Sequence, residues 1–277
     1  MQLSWIKIDI EIKNDTRIPF FTGSMLRGVI GHALKRVVCI NPSYQCENCF
    51  AQRECTFYKF YEEKNIFHLY RLGVTLQPEN LNFSFYLFEE AKVSLPYVMR
   101  SIINAFEEEG IGKSRTKVKV DAMYISEQCV YDGKNFLSLA DIVPESLHLK
   151  AYQPDVALEF SMPLRLKENN KIVRESFQLH TLISSIHNRY IHLRGEENTS
   201  LGYRVEGEII ASSMKYVDMQ RYSNRSQTRM KIGGVKGNLM IKGLDMKSYE
   251  YLQIGEIIAA GKQTVFGLGA YTLKEIR

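Results

Sequence analysis

The chain is 277 residues long, with 45% hydrophobic and 24% charged residues. That is enough for one large or two ordinary domains and too apolar for a disordered or fibrous protein. No apolar run approaches the ~18 residues of a membrane span, and the N-terminal MQLSWIKIDIEIKND alternates apolar with polar residues where a signal peptide would be continuously apolar. A cytosolic protein with reduced thiols and no disulfides is expected. The net charge of +5 is unevenly spread. Residues 1–150 carry 18 Lys and Arg against 18 Asp and Glu, whereas 151–277 carry 18 against 13. The surplus that can face a polyanion, or simply a solvated basic face, therefore lies in the second half.

Hydrophobic period orders the first half. Ile6, Ile8, Ile10 and Ile12 alternate with polar residues, which predicts a strand over 3–12. From Gly23 to Val38, Leu26, Ile30, Ala33 and Val37 recur at helical spacing. The stretches 66–76 and 81–88, rich in aromatic and β-branched residues, flank the turn QPEN and predict a hairpin. Leu95 to Phe106 reads as a helix stopped at Gly110, and 115–125 alternates again. The second half repeats the order: a strand from Val156 to about Leu166, a helix over 175–193, strands over 208–218 and 228–242, a helix over 247–260 and a strand over 268–275. Two β-α-β-β-α-β units in tandem are an α+β fold of two ferredoxin-like domains, 1–152 and 153–277, with the break at Pro154. That fold hosts many activities, so sites must decide function.

The helix GSMLRGVIGHALKRVV sets Leu26, Ile30, Ala33, Leu34 and Val37 on one face and Arg27, Gly28, Gly31, His32, Lys35 and Arg36 on the rest. Interior helix glycines cost about 1 kcal/mol each relative to alanine, and close approach of another backbone is the usual compensation. A bared patch beside an imidazole and three cations suits a phosphodiester; tight packing between domains is the alternative. Directly after the helix stand Cys39, Cys46, Cys49 and Cys55, spaced C-x6-C-x2-C-x5-C. Thiols so close in a reduced compartment point to a structural zinc or an iron–sulfur cluster. Cys129 stands apart and reads as core.

Three basic features follow. In KSRTKVKV, the residues Lys113, Arg115, Lys117 and Lys119 share one face if the segment is a strand, giving a cationic ribbon that can track phosphates or a lysine-guarded edge. The stretch RYSNRSQTRMKIGGVKGNLMIK holds Arg221, Arg225, Arg229, Lys231, Lys236 and Lys242 without any acid, a loop and strand able to grip RNA, with Tyr222 available for stacking. Finally, Gly255, Gly261, Gly267 and Gly269 surround Lys262 in GEIIAAGKQTVFGLGAY, where backbone amides can turn toward an anion. The P-loop string is absent, and the loop precedes a strand rather than opening a helix.

Taken together, the tandem ferredoxin-like order, the C-terminal G-x5-G-x5-G-x-G loop with its preceding GGVKG strand, and the GSMLRGVIGHALKR helix followed by cysteines resemble a CRISPR-associated endoribonuclease of the RAMP superfamily, the family that cuts precursor CRISPR RNA within each repeat. The resemblance covers nearly the whole chain. It implies cleavage without a catalytic metal, by attack of a ribose 2′-OH on the adjacent phosphate to leave 2′,3′-cyclic phosphate and 5′-OH ends. It also implies a general acid or base on the first helix, matched here by His32, with Lys35 and Arg36 nearest to the family's lysine. Phe20 and Phe21 stand where the family usually has a tyrosine, and His187, beside Arg189, is the competing histidine. RNA contacts are expected from Arg27, the two basic stretches and the residues Gly261, Lys262, Gly267 and Gly269. The implied setting is a prokaryotic cytoplasm and the implied partner is CRISPR repeat RNA, with other CRISPR effector subunits as further partners and a monomeric or homodimeric state. A non-catalytic RAMP subunit that binds guide RNA is the alternative function.

Overall fold

The computed structural model describes residues 1–13, 18–112, 114–197, 200–223 and 228–276. They fall into two compact units, Met1–Ser146 and Leu147–Arg277. The division lies a few residues before the Pro154 break because the intervening segment is tied to the second unit. The Lys150 amide donates to Gln253 Oε1 at 2.5 Å, the Tyr152 hydroxyl donates to the Leu244 carbonyl, and the Leu244 amide donates to the Pro154 carbonyl at 2.8 Å.

In the first unit β1 (Ser4–Lys13), α1 (Gly23–Val38), β2 (Tyr70–Gly73), β3 (Phe83–Phe88), α2 (Leu95–Ile103), β4 (Lys119–Ile125), β5 (Gln128–Tyr131) and β6 (Glu145–Ser146) succeed one another. The antiparallel sheet runs β2-β3-β1-β4-β5, with β6 added on β1. Its core follows from the period of β1: Ile8, Ile10 and Ile12 are sealed while Asp9 and Glu11 between them are not. Ile8 pairs with Phe85 on one side and Ile125 on the other. The helices α1 and α2 lie side by side, α1 burying Leu26, Ile30, Ala33 and Leu34. This is the ferredoxin-like order, with a hairpin strand appended.

One expected strand is not there in full. After α2 and a π-helical turn, the chain reverses at Gly110, whose φ is +76° and whose Cβ, if present, would lie 2.2 Å from the Arg115 carbonyl oxygen. Ile111 and Thr116 close the reversal through paired amide–carbonyl bonds, and Arg115 itself has φ +49°. Arg115 is therefore in a turn, and the strand begins only at Lys119. The expected ribbon shrinks to Lys117 and Lys119, which are exposed in alternation with the buried Val118 and Val120. Lys113 lies outside the described residues.

The second unit is built from β7 (Val156–Leu164), a small hairpin of β8 (Lys167–Glu168) and β9 (Lys171–Ile172), α3 (Leu179–Leu193), β10 (Glu208–Ser212), β11 (Lys215–Val217), β12 (Gln220–Ser223), β13 (Thr228–Lys231), β14 (Gly234–Lys242), α4 (Met246–Ile258) and β15 (Tyr271–Glu275). Its main sheet runs β10-β14-β7-β15, with β11 also on β14, so the ferredoxin-like order recurs. The two expected long strands are each broken in two. β14 bulges at Gly237, where φ is +145° and a Cβ would sit 2.5 Å from the Ser213 carbonyl oxygen, so glycine is required there. At Gly233 the Val217 carbonyl oxygen comes within 2.3 Å of the same position. β13, the first piece of the second expected strand, pairs instead with β12, which forms in the stretch expected to be the connecting loop, and the two make a separate two-stranded ribbon. Among the described residues no helix is long and apolar enough to cross a membrane.

Candidate functional site

The two glycines of α1 have different surroundings. Gly31 is buried under Tyr61, whose ring carbon Cε1 would be 2.4 Å from a Cβ at that position. Tyr61 stacks on Phe57 at 5.4 Å between ring centroids, Phe60 stacks on Tyr70 at 4.8 Å, and Tyr70 stacks on Phe85 of β3 at 5.1 Å. An aromatic column thus fastens the chain after the cysteines to both helix and sheet. Gly28 has no atom within 4 Å of where its Cβ would be.

The cations of α1 are likewise divided. Arg27 lies under the same column: its Nε donates to the Tyr70 hydroxyl at 2.8 Å, an Nη donates to the Phe60 carbonyl at 3.3 Å, and its guanidinium carbon sits 4.5 Å from the Tyr61 ring centroid. Burial works against its charge, but Tyr70 and Tyr61 outweigh that and hold its pKa above the usual arginine value. Lys35 turns toward the cysteine segment, its Nζ 5.1 Å from the Phe57 ring centroid and 5.8 Å from that of Tyr44. Arg36 pairs with Glu109 at 3.3 Å. Only His32 and Arg36 of these polar residues are exposed. Among the described residues His32 has no hydrogen-bond or ion-pair partner. It stands one turn after Gly28 on the same face of the helix. The expected ring of three cations around one imidazole is therefore not formed: Arg27 and Lys35 hold the scaffold, and Arg36, one turn on from His32, is paired with Glu109.

Cys39, Cys46, Cys49 and Cys55 line one cavity of about 140 Å³ at the end of α1, together with Val38, Ile40 and Phe57 among others. The Cys49 amide donates to the Cys46 carbonyl at 3.3 Å, closing a tight C-x-x-C turn, with φ +56° at Asn48 between them. Burial pushes the Cys46 thiol pKa up, against the pull of the Lys35 ammonium. From residue 39 to 56 no side chain is buried. Among the described residues, however, no three His, Cys, Asp or Glu side chains stand in a metal-ligating arrangement.

In the second unit the glycine-rich loop is drawn inward. The amides of Gly261, Lys262, Gly267 and Gly269 donate to Ser185 Oγ, the Arg165 carbonyl, the Thr264 carbonyl and the Pro163 carbonyl at 2.8–3.0 Å. Those amides are engaged within the fold, so they do not make the expected anion nest. At Gly269, φ is +77° and a Cβ would lie 1.8 Å from the Ala260 carbonyl oxygen, which is why glycine is required there. Lys262 is the exposed residue of this loop. Arg221 lies over the Phe266 ring at 4.8 Å and donates to Met230 Sδ, so it links the β12–β13 ribbon to the loop. Lys231 is exposed and 3.6 Å from Asp218, and Lys236 is half-exposed. Arg225 and the side chains of Tyr222 and Arg229 lie outside what the structure describes.

His187, the competing histidine, is 5% exposed, with its Nδ1 2.8 Å from the Tyr251 hydroxyl and the two rings edge to face. Burial pushes the Tyr251 pKa to about 12. The neighbouring Arg189 is also sealed and donates to the Ile258 carbonyl at the end of α4. Both serve the core, which leaves His32 as the accessible imidazole of the two. Sequence reading missed Tyr61, Tyr70 and Arg165. Arg165 donates to the Gly233 carbonyl at 2.7 Å while its own carbonyl holds the Lys262 amide. The one available signal was the density of aromatic residues between 57 and 70.

Comparison with known proteins agrees with this architecture. Residues 1–142 match the family model AF_1859_N, described as an N-terminal domain, and residues 158–271 match the model for the CRISPR-associated endoribonuclease Cas6. No curated protein matches the sequence. The fold is shared with a Cas6 product complex, at a TM-score of 0.59 and 11% identity over 98% of this chain and 99% of that one. Thermus thermophilus Cas6 gives 0.57 and 9% identity over 98% of both chains. The product of a Cas6-related gene from Pyrococcus furiosus gives 0.50 and 15% identity over 99% of this chain and 100% of that one.

Proposed function

We propose that this chain, whose residues 158–271 match the model for the CRISPR-associated endoribonuclease Cas6, cuts precursor CRISPR RNA without a catalytic metal, with His32 moving a proton in the reaction. In this chemistry a ribose 2′-OH loses its proton and its oxygen attacks the adjacent phosphorus. The bond to the 5′-oxygen breaks, and that oxygen takes up a proton. The products carry a 2′,3′-cyclic phosphate and a 5′-OH, and no water or metal enters the balance. His32 serves as base toward the 2′-OH or as acid toward the leaving 5′-oxygen, since imidazole exchanges protons near neutral pH. Arg36, exchanging its Glu109 partner for the phosphate, is the cation that favours charge developing there. Phosphates further along the RNA fall to Arg115, Lys117, Lys119, Lys231, Lys236 and Lys262.

The observation that carries this reading is the exposed His32, held by no partner among the described residues, on a helix whose other polar side chains are mostly engaged in the scaffold. The test is incubation of the purified protein with its own repeat RNA in excess EDTA, followed by end analysis of the products. Cleavage at an unchanged rate with cyclic phosphate ends is expected. Cleavage that vanishes and returns with Mg²⁺, while metal on the cysteines survives the chelator, would refute it.

We also infer that Cys39, Cys46, Cys49 and Cys55 hold one structural zinc ion or iron–sulfur cluster. What favours it is a shared cavity lined by all four thiols in a segment with no buried side chain of its own. Such a segment lacks the apolar burial that would offset its ordering entropy, and a metal bound by thiolates would supply it. Binding requires these side chains to turn toward one another, since they do not stand in a ligating arrangement.

A further inference from the structure

An interior helix glycine is a standing cost, and in α1 only one of the two is explained by packing. Gly31 has to be glycine because the Tyr61 ring occupies the place of its side chain. Gly28 has open space there, so nothing inside the protein opposes a Cβ at that position. Its backbone is ordinary helix, so left-handed geometry does not call for glycine either. Helical side chains lean toward the N-terminus, so a residue covers the surface over the turn before its own Cα. The surface beneath the exposed His32 imidazole is accordingly the bare backbone at Gly28.

We propose that Gly28 is a positioning residue: it leaves α1 bare so that the sugar–phosphate backbone at the cut site seats against the helix, within reach of His32. This rests on the reading of His32 as the acid or base and adds to it the place of the scissile phosphate. A side chain at 28 would hold the phosphate off the helix by the thickness of a methyl group or more. Displacement of about 1 Å in a reacting geometry costs up to about 100-fold in rate.

Packing and function make opposite predictions for substitutions here, and Gly28→Ala, Gly28→Leu and His32→Ala read them out. Alanine and leucine are good helix formers, so both Gly28 variants should melt about 2–4 °C higher than the native protein. Single-turnover cleavage of repeat RNA should nevertheless fall, by about 10-fold with Ala and about 100-fold or more with Leu. RNA affinity, measured on an RNA blocked by a 2′-deoxy sugar at the cut site, should fall less than the rate. Gly28 variants that are more stable and cut at the native rate, beside an inactive His32→Ala, would overturn the role of Gly28 and leave that of His32 standing. Native cleavage by His32→Ala would overturn both. A lowered melting temperature in Gly28→Ala would place the need for glycine inside the protein and equally refute the proposal.

Discussion

His32→Ala is expected to slow single-turnover cleavage of repeat RNA by about 10²- to 10⁴-fold, the usual contribution of one positioned acid or base, while RNA affinity and melting temperature hold. The stability expectation follows from exposure: the side chain has no partner among the described residues, and substitutions at such surface sites stay within about 0.5 kcal/mol. The rate expectation follows from chemistry, since the 2′-OH gives up a proton and the 5′-oxygen gains one, and alanine can exchange neither. Rates measured with enzyme in excess over labelled RNA, and binding measured on uncleavable RNA, separate the two effects. If affinity falls as far as the rate, His32 holds RNA and the proton is moved elsewhere. His187→Ala does not offer a comparable reading, because that imidazole meets the Tyr251 hydroxyl at 2.8 Å inside the core. Its loss should lower the melting temperature before it alters any chemistry.

The paired substitution Cys46→Ser and Cys49→Ser is expected to remove bound metal altogether and to loosen the segment 39–56. Serine hydroxyls do not ionise near neutral pH as thiols do on binding a metal. Apparent binding free energies for structural zinc run to about 10–16 kcal/mol in small zinc-stabilised domains, and the ordering of this segment would draw on a share of that. Elemental analysis should find one metal centre per native chain and none in the variant. Limited proteolysis should cut the variant between residues 39 and 56 and spare the native protein. Because Lys35 of α1 packs against Tyr44 and Phe57, some loss of cleavage through a less firmly held helix is expected as well. A natively purified, reduced, metal-free protein that melts and resists protease as well as any metal-loaded preparation would refute the metal centre.

The readability of this chain from sequence varied with the range of the forces involved. Helix α1 took its expected bounds, because Leu26, Ile30, Ala33 and Leu34 repeat at a period that a buried helix face demands, although Val37 on that face is only half-buried and Gly31 off it is buried. The tandem ferredoxin-like order was legible for the same reason in most strands and helices, although α4 is buried on nearly every side and carries little period of its own. The stretch after Gly110 was misread because alternation in KSRTKVKV looks like a strand. The reversal there depends on the backbone of Gly110 meeting that of Arg115, a contact invisible to a side-chain pattern. The expected strands of the second unit broke at Gly233 and at Ser213, which faces Gly237, through similar close approaches.

At the site, the pattern identified the right helix but merged features that distant residues separate. Gly28 and Gly31 are equivalent in the sequence and differ only because Tyr61, thirty residues on from Gly31, lies on one of them. Arg27 looked like a phosphate contact until Tyr70 was found to hold it. The glycine-rich loop was recognisable, yet the engagement of its amides depends on Ser185, Pro163 and Arg165 from other elements. Local period predicts which face is buried, and it does not predict what lies on top of the rest.

The account stands on the ribose hydroxyl as nucleophile, and the measurement closest to that claim is cleavage of a repeat RNA bearing a single 2′-deoxy sugar immediately 5′ of the cut. With enzyme in excess and chelator present, this RNA should bind as tightly as the native RNA and remain intact, while native RNA is cut to a 2′,3′-cyclic phosphate. Cutting of the deoxy-substituted RNA at the same bond would show that water or another group attacks the phosphorus, and would contradict the mechanism.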